Sequence, residues 1–172
     1  MKYLRKLSSG ANNTVIVFSD TEVAKLFTDD TRSDIGSEAK KMKYANAVNG
    51  LLAKFIRLDY NDDLAAEMLV MERLKPLDFR AYEVELRELW FSVFEGELNA
   101  LHEAGFVHRD LKRPSNIGGA AFDNILLTEL GLRLIDVGIS ALKEDVTDKI
   151  FQKYIDIEQQ EMQLFKEYFL NR

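Results

Sequence analysis

Cysteine is absent from the 172-residue chain, which excludes a disulfide framework and thiolate metal sites. The chain also lacks a long apolar run, because no stretch approaches the roughly 18–20 apolar residues needed to span a bilayer. The N-terminal sequence "MKYLRKLSSGANN" has no apolar run of signal-peptide length. We therefore expect a soluble protein of the cytoplasm. An effector secreted through a signal that a specialised apparatus reads would have the same sequence features.

Basic residues are fewer than acidic ones: the chain has 23 Lys and Arg residues and 29 Asp and Glu residues, which gives a net charge of −6. This balance argues against nucleic acid or an anionic membrane as the main partner. It leaves open a local site where a metal ion helps an acidic protein to bind a polyanionic nucleotide. The apolar content of 47% is ordinary for a soluble globular protein. The length allows a real core but is short for a two-lobed enzyme.

Proline occurs only twice, and Pro76 separates two kinds of pattern. Before Pro76 the sequence is rich in β-branched and apolar residues, which predicts strands. The predicted strands are residues 12–19, 21–27, 51–60 and 64–74. A helix is predicted between the second and third strands at Glu38–Ala47, with a cap at Ser33 or Ser37 and a stop at Asn49.

After Pro76 the pattern becomes helical. Apolar residues from Leu86 to Leu101 recur at steps of three and four, which predicts one amphipathic helix over roughly Glu83–Ala104. Neither glycine nor proline follows Gly138, so one or two helices are predicted in the last segment, residues 145–170.

Polar motifs lie between these helical regions, around two short predicted strands, "NILLT" and "LRLIDV". His108-Arg109-Asp110-Leu111-Lys112 follows the long helix, Asn124 opens the first strand, and Asp136-Val137-Gly138 ends the second. Each motif alone is weak, but the three in this order resemble the protein-kinase-like fold. The resemblance implies an α+β, two-lobed fold, with a small antiparallel β N-lobe at residues 1–74 and a truncated helical C-lobe at 75–172. A cleft between two lobes is a common place for a small-molecule site.

The resemblance implies ATP and Mg²⁺ as cofactors of a phosphoryl transfer, which needs positioning and charge neutralisation more than covalent help. Asp110 would accept a hydrogen bond from the acceptor hydroxyl, and Lys112 would lie near the γ-phosphate. Asp136 would ligate Mg²⁺, which prefers oxygen ligands, and Asn124 would offer its amide oxygen to a second metal ion.

The N-terminal half contains the nucleotide-binding residues that the resemblance implies. Lys25 in "EVAKLF" matches the lysine that contacts the α- and β-phosphates, and Glu38 in "GSEAKKM" matches the glutamate that holds this lysine. In "LVMERL", Met71 matches the gatekeeper residue, and Glu72–Leu74 would offer backbone groups to adenine. Gly10 is the one glycine in "LSSGANNTV", where the family has a glycine-rich loop.

Several of these polar residues also have structural readings. Taken singly, Lys25 and Glu38 would be solvated surface residues. Their predicted role in nucleotide binding therefore depends on the whole set of motifs. His108 is expected to have a structural role, hydrogen-bonded near the loop, and His102 is expected to lie on the helix surface. Asp156 is either the helical acid that braces the catalytic loop in kinases or an exposed helix charge.

The sequence departs from the family between Asp110 and Asn124. In the family the asparagine follows the aspartate closely, at the position of Ser115 here, whereas Asn124 comes 14 residues after Asp110. Asn116 is a competitor, but Asn124 is favoured because it opens the "NILL" strand. The extra residues form an insert near "RPSNIGGAA", Arg113–Ala121.

Only 34 residues follow Gly138, and no Ala-Pro-Glu motif occurs. The resemblance is therefore to compact kinases: the small kinase of the KEOPS tRNA-modification complex, RIO-type kinases and minimal bacterial effector kinases. It implies a Ser/Thr protein kinase with a protein substrate, and an activating protein partner on the truncated C-lobe. Two alternatives stay open, a kinase of small molecules or sugars and a nucleotide-binding pseudokinase or regulatory subunit.

Overall fold

The structure is a computed structural model that describes residues 6–9, 14–29, 31, 33–116 and 118–171. The predicted α+β class is confirmed, because these residues form a five-stranded antiparallel sheet, two two-stranded sheets and three α-helices. The helices are α1 (Ile35–Val48), α2 (Val84–Ala104) and α3 (Asp148–Leu170). The strands are β1 (Lys6–Ser9), β2 (Thr14–Val17), β3 (Glu22–Phe27), β4 (Phe55–Asn61), β5 (Ala66–Glu72), β6 (Phe106–Val107), β7 (Ile125–Thr128), β8 (Gly131–Leu134) and β9 (Ala141–Leu142). No helix in this part of the chain is long and apolar enough to cross a membrane.

β3 lies at the centre of the large sheet, whose strand order is β1-β2-β3-β5-β4. The strands predicted at residues 12–19 and 21–27 are found as β2 and β3, which pair as an antiparallel hairpin. On its other side β3 pairs with β5, in a register that sets Lys25 opposite Leu69. Lys25 is therefore held in a central strand that pairs with a strand on each side, β2 and β5.

The third predicted strand is shorter than expected, since β4 begins at Phe55 and not at Leu51. Leu51–Ala53 instead runs along β8. The Ala53 N–H donates to the Leu134 carbonyl at 2.9 Å, and the Leu134 N–H donates to the Leu51 carbonyl at 2.8 Å. The apolar composition of a short segment does not show which strand the segment will pair with. This pairing ties the large sheet to the β7–β8 hairpin.

α1 is capped by Asp34, so the predicted caps Ser33 and Ser37 are wrong. The Asp34 carboxylate accepts the backbone N–H of Ser37 at 2.9 Å, which satisfies one of the open donors of the first turn. The helix ends at Asn49, as predicted. α1 starts three residues earlier than expected, and Glu38 lies in its first turn and is buried.

α2 begins one residue after the predicted Glu83 and ends at Gly105, which has a left-handed φ of +99°. A side chain at Gly105 would meet the Tyr44 hydroxyl at 3.0 Å, so glycine fits this helix end. The chain then enters β6, which pairs with β9. This pairing was not predicted from the sequence. Because β6 and β9 flank residues 108–140, it joins the two ends of the segment that contains the polar motifs.

Aromatic side chains hold α3 against α2. One helix forms where one or two were predicted. The Phe165 ring of α3 lies 5.5 Å from the Phe94 ring of α2 and 5.3 Å from the Phe122 ring, which follows the insert. Tilted and edge-on rings at these distances stabilise the packing beyond the area they bury. The main core contains residues of α1, β5, α2, β7, β8 and α3, so one continuous core connects the sheet to the helices.

Candidate functional site

Lys25 contacts two acidic residues from other parts of the sequence, Glu38 and Asp136. Its Nζ lies 2.7 Å from Glu38 Oε1 and 3.4 Å from Asp136 Oδ1. The side chains of Lys25 and Glu38 are 9% and 3% exposed. A lysine and a glutamate resist removal from water unless they are paired. The predicted pairing of Lys25 with Glu38 is present, and the reading of each as a solvated surface residue is wrong.

Asp136 has an unusual backbone and a lowered pKa. It lies two residues beyond β8 rather than in the strand, and its φ is +65°, a left-handed value that is strained for a residue other than glycine. Its Oδ1 accepts the Gly138 N–H at 3.0 Å. Burial acts to raise the pKa of Asp136, but the Lys25 ammonium and the Gly138 N–H outweigh it and bring the pKa below its ordinary value. The carboxylate is therefore ionised at neutral pH.

Residues 108–112, here called the 108–112 loop, are held by His108. This side chain is fully buried, its Nε2 lies 2.9 Å from the Ile135 carbonyl, and its Nδ1 accepts the Asp110 N–H at 3.2 Å. Because Nδ1 accepts, we assign the proton to Nε2, which donates to the carbonyl. The structural role predicted for His108 is confirmed. The two hydrogen bonds of the His108 side chain connect the Asp110 backbone to that of Ile135, the residue before Asp136.

Glu158 of α3 is the main anchor of this loop, and sequence reasoning missed it. Its side chain is fully buried. Its Oε2 accepts the Arg109 N–H at 2.6 Å, while Oε1 accepts the His108 N–H at 3.2 Å and lies 2.9 Å from His102 Nε2. These three contacts satisfy a carboxylate that burial would otherwise destabilise. The sequence did contain a signal, because Glu158 falls on the same face of α3 as its buried aromatic residues.

The position of Glu158 corrects two sequence readings. His102 was expected on the surface of α2, but it is 7% exposed because it faces Glu158. Asp156 is not the acid that braces the loop, since it is exposed and its Oδ1 accepts a hydrogen bond from Gln152 at 2.9 Å. It lies two residues before Glu158, and residues at that spacing do not share a helix face. The alternative reading of Asp156, an exposed helix charge, is correct.

Asn124 connects the 108–112 loop to the chain that precedes Asp136. Its Nδ2 donates to the Asp110 carbonyl at 3.0 Å, and its own carbonyl accepts the Ile135 N–H at 3.0 Å. The competitor Asn116 is exposed in a turn of the insert. The fold therefore brings Asn124, and not Asn116, beside Asp110 and Asp136.

Arg113 organises the insert at residues 113–121. Its backbone N–H donates to the Ala121 carbonyl at 2.7 Å, which closes the base of the insert. Its guanidinium donates to the Gly118 carbonyl at 2.8 Å and pairs with Asp123. Because the base is closed, the extra residues do not separate Asn124 from the 108–112 loop.

Asp110 is partly buried and its pKa is raised. Burial is the main cause and the Asp136 carboxylate adds to it, while His108 and Asn124 oppose it. A carboxylate with a raised pKa is a stronger proton acceptor. Lys112 is also partly buried, and its side chain has no hydrogen-bond partner among the described residues. Both groups are therefore available to a ligand.

The backbone donors that follow β5 differ in whether they have a partner. Met71 lies in β5 and packs against the main core. The N–H groups of Glu72 and Arg73 donate to carbonyls of other segments, at 2.9 and 2.8 Å. The Leu74 N–H has no partner in the part of the chain that the structure describes. Gly10, the remaining predicted nucleotide-binding residue, lies outside the described residues.

Asp136 and Asn124 carry oxygen atoms of the kind that bind a hard cation. Asp136 supplies a carboxylate and Asn124 an amide oxygen, and Mg²⁺ is commonly held by one or two such protein ligands together with phosphate oxygens and water. Within the described ranges, no group of three or more His, Asp or Glu side chains is arranged to hold a metal. A Mg²⁺ site built on these two residues would need further ligands, such as phosphate oxygens and water.

The charged cluster does not coincide with a cavity of about 520 Å³ that Glu72, Trp90, Glu97 and Arg133 help to line. Neither Lys25 nor Asp110 nor Asp136 borders that cavity. Contacts and charge, rather than cavity volume, identify the candidate site.

No protein-family model matches the chain. No curated protein matches it in a sequence comparison.

Proposed function

We propose that the chain is a compact ATP- and Mg²⁺-dependent kinase that transfers the γ-phosphate to Ser or Thr hydroxyls of a protein. The observation that carries the proposal is the contact of Lys25 with both Glu38 and Asp136, at 2.7 and 3.4 Å. A buried ammonium beside an ionised carboxylate suits the phosphates of a nucleotide and their metal ion. In this proposal residues 1–74 form the N-lobe and residues 75–172 the helical C-lobe of a two-lobed kinase-like fold.

Nucleotide binding is assigned to the residues around β3 and the end of β5. The Lys25 ammonium binds the α- and β-phosphates, and Glu38 keeps it in place because the pair is buried. The open Leu74 N–H donates to the adenine ring, which Met71 borders. Asp136 and Asn124 hold Mg²⁺, which neutralises phosphate charge when it is bound.

The acceptor hydroxyl is assigned to Asp110. Its carboxylate accepts a hydrogen bond from the hydroxyl and orients the oxygen toward the γ-phosphate, and its raised pKa makes it a stronger acceptor. Lys112 offers its ammonium to a phosphate oxygen. His108 and Glu158 already hold the backbone of the loop, so little ordering is needed when the substrates bind.

The protein substrate is inferred from the motif His108-Arg109-Asp110-Leu111-Lys112. Sugar and antibiotic kinases of the resembled fold more often lack the arginine and the lysine. This part of the proposal rests on the resemblance, whereas the assignment of a phosphoryl-transfer site rests on the contacts of Lys25.

The test is transfer of labelled phosphate from ATP, with Mg²⁺, to casein, to lysate proteins and to a metabolite extract. We expect labelled protein with the unaltered chain. Replacing the carboxylate in Asp110→Asn should lower kcat about 10²- to 10⁴-fold, the range typical of a lost general base, while ATP binding measured by calorimetry persists. Asp156→Asn is the matched control, because that aspartate is exposed on α3, and its activity should equal that of the unaltered chain.

Three results would contradict the proposal in different ways. ATP binding without transfer to any acceptor would point to a nucleotide-binding module. Transfer to metabolites and not to proteins would make the chain a small-molecule kinase. Full activity in Asp110→Asn, or in Lys25→Met, would place the chemistry elsewhere.

A further inference from the structure

One face of α2 carries apolar side chains that the rest of the described chain leaves largely exposed. Leu86, Leu89 and Val93 recur at steps of three and four, so they form one stripe along the helix, here called the α2 stripe. Leu89 and Val93 are 66% and 60% exposed. The buried face of the same helix, which includes Phe91 and Phe94, already packs in the main core. The α2 stripe is therefore apolar surface that this core does not use.

A cavity lies beside the α2 stripe. Its volume is about 520 Å³, and both Val93 of the stripe and Leu130 line it. Leu130, in the turn between β7 and β8, is 85% exposed. Trp90 also lines the cavity, and its ring lies close to Gly131, where an added side chain would come within 3.6 Å of Trp90 Cδ1. We call the α2 stripe, Leu130 and this cavity the α2 groove. Contiguous apolar surface of this kind is typical of a protein–protein contact.

The exposed charges on α2 are all negative. Its five glutamates are at least partly exposed. Its one arginine, Arg87, is buried and donates to carbonyl groups at the end of α3. Glu85 lies at one end of the α2 stripe, Glu97 at the other, and Glu129 in the β7–β8 turn. Acidic groups therefore surround the apolar part of the α2 groove.

The cations that border the cavity do not reverse this sign. Arg133 is buried and is already paired with Glu72. Lys54 is exposed at the rim. The Glu97 side chain is partly buried and has no hydrogen-bond partner among the described residues. The charge that remains in the α2 groove is therefore negative.

We propose that the α2 groove binds a basic amphipathic helix of a partner protein. Apolar side chains of the partner helix pack on the α2 stripe and on Leu130. A Lys or Arg side chain of the partner enters the cavity, where the Trp90 ring and the Glu97 carboxylate both attract a cation. A helix suits the site because the α2 groove follows α2 for about 16 Å from Leu86 to Glu97, which is about three helical turns.

A second copy of this chain fits the α2 groove less well. Pairing α2 with the same helix of another copy would bring like charges together, because α2 has no exposed cation to match its glutamates. A basic partner matches those charges, and such complementarity favours association and specificity. The inference goes beyond the proposed function and does not depend on it, since neither Lys25 nor Asp110 nor Asp136 borders the cavity.

The fluorescence of Trp90 provides the test, because this residue is the only tryptophan of the chain. The probe is a synthetic peptide of about 18 residues, long enough to form a helix, with leucines at steps of three and four and lysines elsewhere. We expect the peptide, at low salt and without ATP, to shift the Trp90 emission to shorter wavelength until one peptide is bound per chain. Added salt should weaken binding because it screens the charges. A peptide with glutamate in place of each lysine is the control and should not bind.

Replacing the α2 stripe tests its apolar contacts. The double variant Leu89→Gln, Val93→Gln should raise the Kd of the basic peptide at least about tenfold, because it removes the side chains on which the leucines pack. Ile157→Gln is the matched control, since Ile157 is an apolar residue of α3 that is 45% exposed, and its Kd should equal that of the unaltered chain. Circular dichroism should show that all these proteins fold, because the altered side chains are exposed.

Reversing the charges tests the acidic rim separately. The double variant Glu85→Lys, Glu129→Lys should weaken binding of the basic peptide and reduce its salt dependence. Glu167→Lys, at an exposed glutamate of α3, is the control for the net charge of the protein and should have a much smaller effect.

Three results would overturn the inference. The first is no change in Trp90 emission and no heat of binding with the basic peptide. The second is an equal Kd for the unaltered chain and for Leu89→Gln, Val93→Gln, which would mean that the acidic protein attracts the peptide without a defined site. The third is a dimer of the unaltered chain, seen by light scattering, that this double variant converts to a monomer, which would make a second copy the occupant. Because the assay contains no ATP, failure of the kinase proposal would leave its result unchanged.

Discussion

Single carboxyl groups in this protein take their properties from how many donors they meet. Glu158 meets three donors and is wholly buried. Glu161, one turn later, has an oxygen without a partner and a pKa raised to about 7 by burial and by Glu158. Asp136 is shifted in the other direction, because the Lys25 ammonium and the Gly138 N–H outweigh burial and lower its pKa. The same residue chemistry thus serves as a loop anchor, a titrating group and the partner of a buried ammonium.

The raised pKa of Glu161 makes stability depend on pH. The folded protein keeps a proton that the unfolded chain releases above an ordinary pKa of 4.5, so the stabilisation is complete below about pH 4.5 and is lost as the pH rises to about 7. Partial exposure screens part of this effect, so we expect a loss of about 1–2 kcal/mol in the free energy of unfolding.

Urea denaturation of the unaltered chain and of Glu161→Gln at several pH values checks this. The difference in the free energy of unfolding between them should shift in favour of Glu161→Gln between about pH 4.5 and 7 and then level off. Glu167→Gln, at an exposed glutamate of the same helix, should run parallel to the unaltered chain. Parallel curves for all three proteins would mean that Glu161 titrates as an ordinary glutamate.

Among the elements, α1 decides whether Glu38 can reach Lys25. The helix begins at the Asp34 cap, and Glu38 lies in its first turn, at the end where fraying is easiest. The sequence pattern predicted this helix from its central residues but chose the wrong cap, because Ser33, Asp34 and Ser37 are all suitable residue types. Which of these three residues caps α1 depends on the path of the chain before the helix.

We expect Asp34→Ala to lower the free energy of unfolding by about 1 kcal/mol, the usual effect of a lost N-cap. Ser37→Ala is the matched control, because only the backbone N–H of Ser37 takes part in the cap, and it should change stability by a few tenths of a kcal/mol at most. Thermal or urea denaturation measures both. Equal losses in the two variants would show that Asp34 does not cap α1 in solution.

At the scale of the whole molecule, backbone pairing and one arginine join the large sheet to the β7–β8 hairpin. Leu51–Ala53 pairs with Leu134 of β8. Arg133, which is 8% exposed, donates to the carbonyl groups of Leu51 and Leu52 and pairs with Glu72 of β5. This junction sets the distance between Lys25 on β3 and Asp136 beyond β8.

We expect Arg133→Met to lower the free energy of unfolding by about 1–3 kcal/mol, because it removes a charged donor from Glu72 and from two carbonyl groups. Each of these acceptors keeps one other hydrogen bond, so none is left unpaired. Arg57→Met is the matched control, since the Arg57 side chain is 40% exposed and solvent screens its pair with Glu22, so this variant should lose much less stability. Urea denaturation compares the two. A loss in Arg133→Met no larger than in Arg57→Met would contradict the role given to this junction.

The sequence by itself determined the three helices, several of the longer strands and the order of the polar motifs. Periodicity places α2 within one residue of its observed start, and the richness in β-branched and apolar residues places β2, β3 and β5, because both signals arise from neighbours along the chain. The residue types of Asp110, Asn124 and Asp136 are likewise visible without a structure.

Only the tertiary structure decided which charges meet. The contact between Lys25 and Asp136 spans 111 residues, and the β6–β9 pair closes the segment 108–140 between strands of two residues each. Glu158 becomes an anchor because α3 turns its buried face toward the loop, which no local pattern specifies. The physical reason is that a buried charged group must be paired with whichever group the fold brings close to it in space. Propensity and periodicity depend only on residues that are close along the chain.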